Sequence, residues 1–498
     1  MSEDRNSYRN ITKAIGLFGG VQVFQIIISI VKNKIVALLL GPFGMGVLGM
    51  ITSTTALVSS LTSFGLQTSS VRDVSKSYST GKENEVIETV SVLKRLIILT
   101  GLLGMLVVFF FSKYLSIWAF DSPEYNVAFK IVAVVLFIDQ LCIGQKVLMQ
   151  GTFHYKYMAK ASLLGSIVGL VLTVPMYYLW ELKAIVPVII VTSLINLVLS
   201  SYFSNKIHIK NKNLSIRQIF YKGRTMIILG LAIALTGVVS NGQVYILRLF
   251  ISNYGSIDDV GLYTAGIAIA NSYIGVVLTA MASDYSPRLA SVSGNNTLFI
   301  ETINRQMRLL VTLITPLILI FIVFIKQWII LLYSTKFVDI IGMVEWIMFG
   351  MFFRAVSWSM SYGYVARGDA KLFFWNEFIT SIYSLGLSIL GYVVYGFEGM
   401  GIAFCLTYVL YSIQLYVLSK KRFGYNISTD TFSVIFMQIL MSSVLFVLLK
   451  ILGYSISRYV LGFVGFIIIT YFSYRYLNIM IDLKSVISSL KNRIQMKK

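Results

Sequence analysis

Apolar positions along this chain run in long blocks rather than in alternation with polar ones. Blocks of about 20 residues or more lie near 12–39, 44–66, 92–111, 127–150, 157–179 and 183–203. Six more follow near 225–251, 261–282, 304–332, 340–365, 372–395 and 399–419, and a last pair near 430–450 and 457–477. Roughly 20 apolar residues in helical form cross a hydrocarbon layer about 30 Å thick, so the pattern predicts about 14 transmembrane helices. No segment keeps a period of two long enough to suggest barrel strands. The predicted fold class is an all-α polytopic membrane protein.

Composition agrees. Of 498 residues, 57% are hydrophobic and 13% charged, against roughly 25% charged in soluble domains. Two cysteines and two histidines exclude a disulfide scaffold and a Cys-rich metal site. The first apolar run, Ile11 to Leu40, is too long for a signal peptide and ends without a small-residue cleavage site, so it reads as the first transmembrane helix.

The net charge of +21 would suggest a nucleic-acid partner in a soluble protein. Here its distribution gives it another meaning. Thirty Lys and Arg side chains, from Arg5 and Arg72 through Lys212, Arg288, Arg367 and Arg422 to Lys498, fall on one side of the predicted helices. Only Lys113, Lys130, Lys183, Lys326, Lys336, Lys450 and Arg458 fall on the other. The first side is predicted to be cytoplasmic with both termini on it, and no nucleic-acid partner is implied. The longest connections, 67–91, 204–224 and 283–303, are too short for a catalytic domain, and no nucleophile, base and oxyanion set can be assembled, so no enzyme is predicted. Residues 482–494 read either as a basic amphipathic helix on the inner leaflet or as a polar tail.

The second half of the chain repeats the first. Gly46 corresponds to Gly261, Arg72 to Arg288, Lys113 to Lys326, Gly151 to Gly368 and Ala184 to Gly401, at offsets of 213 to 217 residues. This divides the chain into a six-helix bundle over 1–210, its repeat over 211–425, an added two-helix hairpin over 426–480 and a basic cytoplasmic tail over 481–498. An even number of spans gives both copies one orientation. Parallel repeats of that kind suit a transporter with a central cavity between two bundles.

Five basic residues remain at membrane depth: Lys32, Lys34, Lys146, Arg248 and Arg354. Ionisable groups there are costly and usually face a cavity or a partner, although long side chains also snorkel to a headgroup region. Lys34 precedes Gly46 by 12 residues and Arg248 precedes Gly261 by 13, so the two occupy nearly equivalent places and are predicted to face one lumen. Polar stripes run along Asn241, Tyr245 and Arg248, along Arg354, Ser357 and Ser361, and along Thr52, Thr55, Ser59 and Thr62. On the first helix the stripe Gln22, Gln25, Ser29 and Lys32 points about 160° away from Lys34. Either that helix bends or Lys32 is the lumenal cation. Asp139, Glu345 and Glu377 are the buried acids, each able to hold a coupling cation or to neutralise a nearby base; Asp139 and Lys146 share a face.

Some patterns carry no chemistry. Gly44-Met45-Gly46-Val47-Leu48-Gly49 matches a dinucleotide fingerprint but joins two membrane helices and follows no strand. Gly165 and Gly169 suit helix packing. Cys142, Cys405 and His208 have no partners at ligand spacing, so no metal site is predicted.

The turn Gly41-Pro42-Phe43-Gly44-Met45-Gly46 with Lys34 eight residues before the proline resembles the first hairpin of Wzx-type O-antigen flippases. The stretch from Arg248 through Asp258-Asp259-Val260-Gly261-Leu262-Tyr263, and the run Leu331-Leu332-Tyr333-Ser334-Thr335-Lys336-Phe337 followed by Arg354 and Glu377, are similar to later parts of the same family over about 12–422. That family lies in the multidrug/oligosaccharidyl-lipid/polysaccharide exporter (MOP) superfamily. The resemblance implies two six-helix bundles that move undecaprenyl-diphosphate-linked oligosaccharide from the cytoplasmic to the periplasmic leaflet of a bacterial inner membrane, for O-antigen or other surface polysaccharide. Lys34, Arg248 and Arg354 would then be cavity cations and Glu377 a matching acid. Asp139 and Lys146, and the final two helices, depart from the pattern. Paired Lys and Arg can replace the water lost by a diphosphate, and Asn241, Tyr245, Trp358 and Tyr362 are candidate sugar contacts. Expected partners are the lipid-linked oligosaccharide, membrane lipids, and a polysaccharide polymerase with its chain-length regulator. No cofactor is expected beyond H+ or Na+ as coupling ion. Competing readings are a cation-coupled multidrug exporter of the same superfamily and a non-transporting scaffold for glycan assembly.

Overall fold

A computed structural model describes residues 2–481, so the basic tail and the segment 482–494 lie outside it. Among the described residues the secondary structure is helical, without strands. The helices are α1 (Ser2–Thr62), α2 (Leu66–Ser79), α3 (Glu83–Phe120), α4 (Asn126–Gly151), α5 (Tyr155–Trp180), α6 (Ile185–Asn205), α7 (Ile216–Lys222) and α8 (Arg224–Tyr254). They continue as α9 (Ile257–Ser291), α10 (Asn296–Val323), α11 (Ile325–Leu332), α12 (Ile341–Ala366), α13 (Ala370–Phe423), α14 (Thr429–Leu452) and α15 (Ile456–Ile481).

Among the described residues, eleven stretches are long and apolar enough to cross a membrane. Three of them, within α1, across α5–α6 and within α13, are each broken once. Division at those breaks restores the fourteen spans of the hydrophobic pattern. The break in α1 is at Gly41, with φ 66° and ψ −167°, a conformation that L side chains avoid. Pro42 follows as the start of the next helical segment, where its missing N–H costs nothing. No non-helical residue interrupts α1 between Gln22 and Lys34, so Lys32 and Lys34 leave the helix on nearly opposite faces, about 200° apart.

The connections that read as loops are largely helical. Residues 66–79 form α2, 216–222 form α7, and the 283–303 connection shrinks to a short turn between α9 and α10. α7 begins with a capping box in which Ser215 Oγ accepts from Gln218 N and the Gln218 side chain accepts from Ser215 N. α2 has Leu66 and Val74 buried among Val90, Leu93, Leu96 and Val147, so an amphipathic face too short and polar for a span is packed on the ends of α3 and α4.

Two compact units are present, one of Met1–Ala265 with Leu332–Lys336 and the other of Gly266–Leu331 with Phe337–Lys498. In the first, α5 and α6 pack through Gly165 and Gly169, beside Asn196 and Thr192 respectively. In the second, α14 and α15 pack against α10, and a buried ionic network ties them down. Arg458 is 1% exposed and donates to Leu449 O at 2.8 Å, to Ile322 O at 3.0 Å and to Glu345 Oε1 at 2.6 Å. Lys450 Nζ lies 3.0 Å from Glu345 Oε2 and 2.6 Å from Glu398 Oε1, and Tyr454 OH donates to Glu345 Oε1 at 2.9 Å. Arg458 is therefore not a loop cation, as its position at the turn of the last hairpin suggests, but the counter-charge of Glu345. Tyr454→Phe removes one charge-assisted hydrogen bond and keeps the ring under Arg458. It is expected to lower stability by about 1.5 kcal/mol, read as a lower melting temperature of the purified protein in detergent.

Candidate functional site

The first unit contains a close crossing of α1 and α9 at the end opposite the strongly basic loops. A Cβ on Gly46 would overlap the Ile257 carbonyl oxygen, and one on Gly261 would overlap the Pro42 carbonyl oxygen. A Cβ on Gly49 would sit 2.8 Å from Thr264 Oγ1. These contacts obey the repeat register, since Pro42 and Ile257, Gly46 and Gly261, and Gly49 and Thr264 are each 215 residues apart. The crossing is therefore an internal two-fold contact between equivalent segments, held at main-chain distance because neither glycine carries a side chain. Gly46 and Gly49 belong to the glycine pattern set aside as a nucleotide fingerprint, and helix contact is the role they have.

The two repeat-related cations flank this crossing. Arg248 Nη1 donates to Gly49 O at 2.8 Å, and Lys34 Nζ donates to Tyr333 O at 2.6 Å. Tyr333 OH in turn donates to Ala265 O at 3.1 Å, so the 332–336 strap bridges α1 and α9 within the unit. Arg248 is half-buried, its Nε is buried without a hydrogen-bond partner, and its acceptor at Gly49 is neutral, so that hydrogen bond leaves its charge uncancelled. Seven residues back on α8, about 10 Å along the axis and nearly on the same face, Asn241 lines a hollow of about 240 Å³ with Ser59, Ser60, Ser63, Gln67 and Gln140. The lining offers hydroxyls and amides without a charge.

The sequence model of the family described as polysaccharide biosynthesis protein matches residues 35–342, more than half of the chain and all of the α1–α9 crossing. The chain belongs to the polysaccharide biosynthesis protein family. No curated protein matches by sequence. In fold, the chain is similar to the lipid II flippase MurJ in an inward closed conformation, with a TM-score of 0.71 at 14% identity, covering 93% of this chain and 99% of that one. It is also similar to a MATE family multidrug resistance transporter of the MOP superfamily in an inward-facing conformation, with a TM-score of 0.67 at 14% identity over 80% and 94%. A third likeness is to a MOP superfamily transporter from Pyrococcus furiosus whose binding pocket is described as reversed in polarity, with a TM-score of 0.59 at 14% identity over 83% and 96%. The chain thus has the fold of these solved structures, and its apolar helices make it a multi-pass membrane protein.

The remaining site residues are divided between the two units. In the first, Lys32 and Lys146 are half-buried. Asp139 is exposed on α4, close to Ser193 and in the field of Lys146. Tyr245 is 7% exposed and lies beside Thr54, so it shapes the wall and presents no free ring face. The hydroxyls of Thr52, Thr55 and Thr62 donate to carbonyls of their own helix; of that stripe, Ser59 lines the hollow.

In the second unit, Arg354 Nη1 donates to Asn271 Oδ1 at 3.0 Å, and its guanidinium lies 5.6 Å from the centre of the Tyr408 ring. These partners too are neutral. Trp358 and Tyr362 pack on the buried Tyr285, with ring centres 4.7 to 5.8 Å apart, and both stay half-exposed. Glu377 accepts a short hydrogen bond from Tyr411 OH. Hydropathy missed the partner of Arg248, because a main-chain carbonyl has no signature in sequence. The repeat register was the signal that paired Gly46 with Gly261.

Proposed function

We propose that this chain is a flippase that carries an undecaprenyl-diphosphate-linked oligosaccharide across a bacterial inner membrane, from the cytoplasmic to the periplasmic leaflet, by alternating access. One observation carries the reading: along a single face of α8, Arg248, held by a neutral acceptor, stands about 10 Å from a hydroxyl- and amide-lined hollow at Asn241. A diphosphate needs charge-assisted donors to replace its hydration in hydrocarbon, whereas a sugar needs neutral donors and acceptors. The two chemistries stand side by side as they do in a lipid-diphosphate-sugar headgroup. Within the second unit, Arg354 stands beside Asn271 and Tyr408, and Trp358 and Tyr362 keep half-exposed ring faces of the kind that suit sugar.

Family membership in polysaccharide biosynthesis supports the substrate class. A cationic drug would meet arginines where it needs acids, and Glu345 is already neutralised by Arg458 and Lys450. Asp139 and Glu377 stand as the acids for a coupling H+ or Na+. Outward passage of the headgroup requires the α1–α9 crossing to part, and an inside-negative potential favours that passage by roughly 2.3 kcal/mol per charge per 100 mV.

The test is a reconstitution. Vesicles with and without the protein are loaded with a fluorescent undecaprenyl-diphosphate oligosaccharide, and label in the outer leaflet is bleached by an impermeant reductant. The expected result is a second, slower loss of the protected label in protein-containing vesicles alone. Equal protection in both preparations overturns the proposal.

A further inference from the structure

The second unit has a cationic hollow, at the end that carries the basic loops and away from Arg354. Its volume is about 680 Å³, within the range of ligand pockets, and its walls include Asn296, Arg367, Asp369, Arg422 and Phe423. Arg367 is clamped as few surface arginines are. Its guanidinium carbon lies 4.0 Å from the centre of the Phe299 ring and 4.5 Å from that of Phe423. Nη2 donates to Asn296 Oδ1 at 2.6 Å, and Asn296 Nδ2 is itself fixed on Phe423 O at 2.8 Å. The Nε of Arg367 is buried without a partner. Arg422 makes a forked pair with Asp369, at 3.1 and 3.3 Å.

Two guanidiniums thus share one open hollow with a single carboxylate, which leaves one positive charge uncompensated there. Arg367 follows the last residue of α12 and Arg422 is in the last turn of α13, so each also complements a helix C-terminus. That role needs neither the ring clamp nor the open volume. A planar guanidinium fixed by stacking has lost its rotamer freedom before a ligand arrives, and its fork matches the oxygens of a phosphate.

We propose that this hollow binds a phosphate-bearing group at a site separate from the transport cations. Arg367 acts as the fixed clamp, and Arg422 is exchanged from Asp369 onto the ligand. The same chemistry would receive either a soluble phosphate compound or the headgroup of an anionic phospholipid, since Lys371, Lys420 and Lys421 are exposed on the adjoining chain. The inference stands independently of the sugar-lipid substrate.

Full-length protein in phosphatidylcholine nanodiscs is titrated with inorganic pyrophosphate and followed by phosphorus NMR line broadening. In a second arm, nanodiscs containing phosphatidylglycerol are analysed by native mass spectrometry for retained lipid. Saturable pyrophosphate binding identifies a soluble phosphate, and retention of phosphatidylglycerol alone identifies a lipid headgroup; either supports the site. Arg422→Gln is expected to weaken the binding observed by about tenfold, and Asp369→Asn to strengthen it severalfold by releasing Arg422. A purely structural ion pair makes the opposite forecast, because both variants would then act alike. Binding of neither probe, or binding that is unchanged or moves in one direction in both variants, overturns the proposal. Arg422 is 58% exposed in its side chain, and an unaltered melting temperature in both variants confirms that they fold.

Discussion

Cells in which this chain carries Arg248→Ala are expected to lose surface polysaccharide almost completely, with flipping in vesicles reduced by about a hundredfold. The guanidinium is half-buried, its acceptor is the carbonyl of Gly49 at 2.8 Å, and its Nε has no hydrogen-bond partner. A charge held in that way is poorly compensated by the protein and costly to bury, so an anion is the partner that would satisfy it. Loss of one charge-assisted contact to phosphate removes about 1.5–3 kcal/mol, and about 2.7 kcal/mol corresponds to a factor of a hundred. Arg354→Ala is expected to act in the same direction through the second unit, where Asn271 and Tyr408 hold the side chain without neutralising it. Arg248→Lys separates charge from geometry: it keeps the charge and loses the fork, so partial flipping is the forecast. Wild-type polysaccharide in both alanine variants, with normal protein levels in the membrane, would remove these residues from the site.

Gly261→Leu is expected to abolish the closed α1–α9 crossing. The obstacle to a Cβ at Gly261 is the Pro42 carbonyl, and at Gly46 the Ile257 carbonyl, so no rotamer change relieves the overlap. Overpacking commonly costs ~1–3 kcal/mol, and a main-chain clash belongs at the upper end, which shifts the ratio of closed to open crossing by about a hundredfold. Single cysteines placed at Thr264 or Thr52, in a chain lacking Cys142 and Cys405, should become reactive to an impermeant maleimide in the leucine variant and stay protected in the parent. Gly46→Leu should do the same, because the contact is reciprocal under the 215-residue register. Protected cysteines in both leucine variants would show that the crossing tolerates side chains and is not the element that moves.

The two predictions draw on different amounts of sequence information. Gly46 and Gly261 were legible as an equivalent pair from the repeat, and the membrane-depth cations from their position inside apolar runs. That Gly49 O is the acceptor for Arg248, that Tyr333 O is the acceptor for Lys34, and that Tyr245 is buried beside Thr54 were not. A hydropathy window reports the cost of placing a residue in hydrocarbon, and it carries no information on which remote residue meets it. The polar stripe of Thr52, Thr55 and Thr62 shows the same limit from the other side. Its spacing suggests a lumenal face, yet in the structure those hydroxyls are satisfied by carbonyls one turn back on their own helix.

The sequence by itself determined the helical class, the number of spans and the register between the two halves. Each of these follows from local transfer free energy or from repetition along the chain. Tertiary structure alone decided that the connection at 66–79 is a packed helix and that Arg458 and Lys450 cancel Glu345 and Glu398 inside the second unit. It also placed Arg367 between the rings of Phe299 and Phe423. The physical reason is one of range. Burial of an apolar run is settled by its own residues, whereas the partner of a charge depends on which helix faces meet, across 113 residues for Arg458 and Glu345.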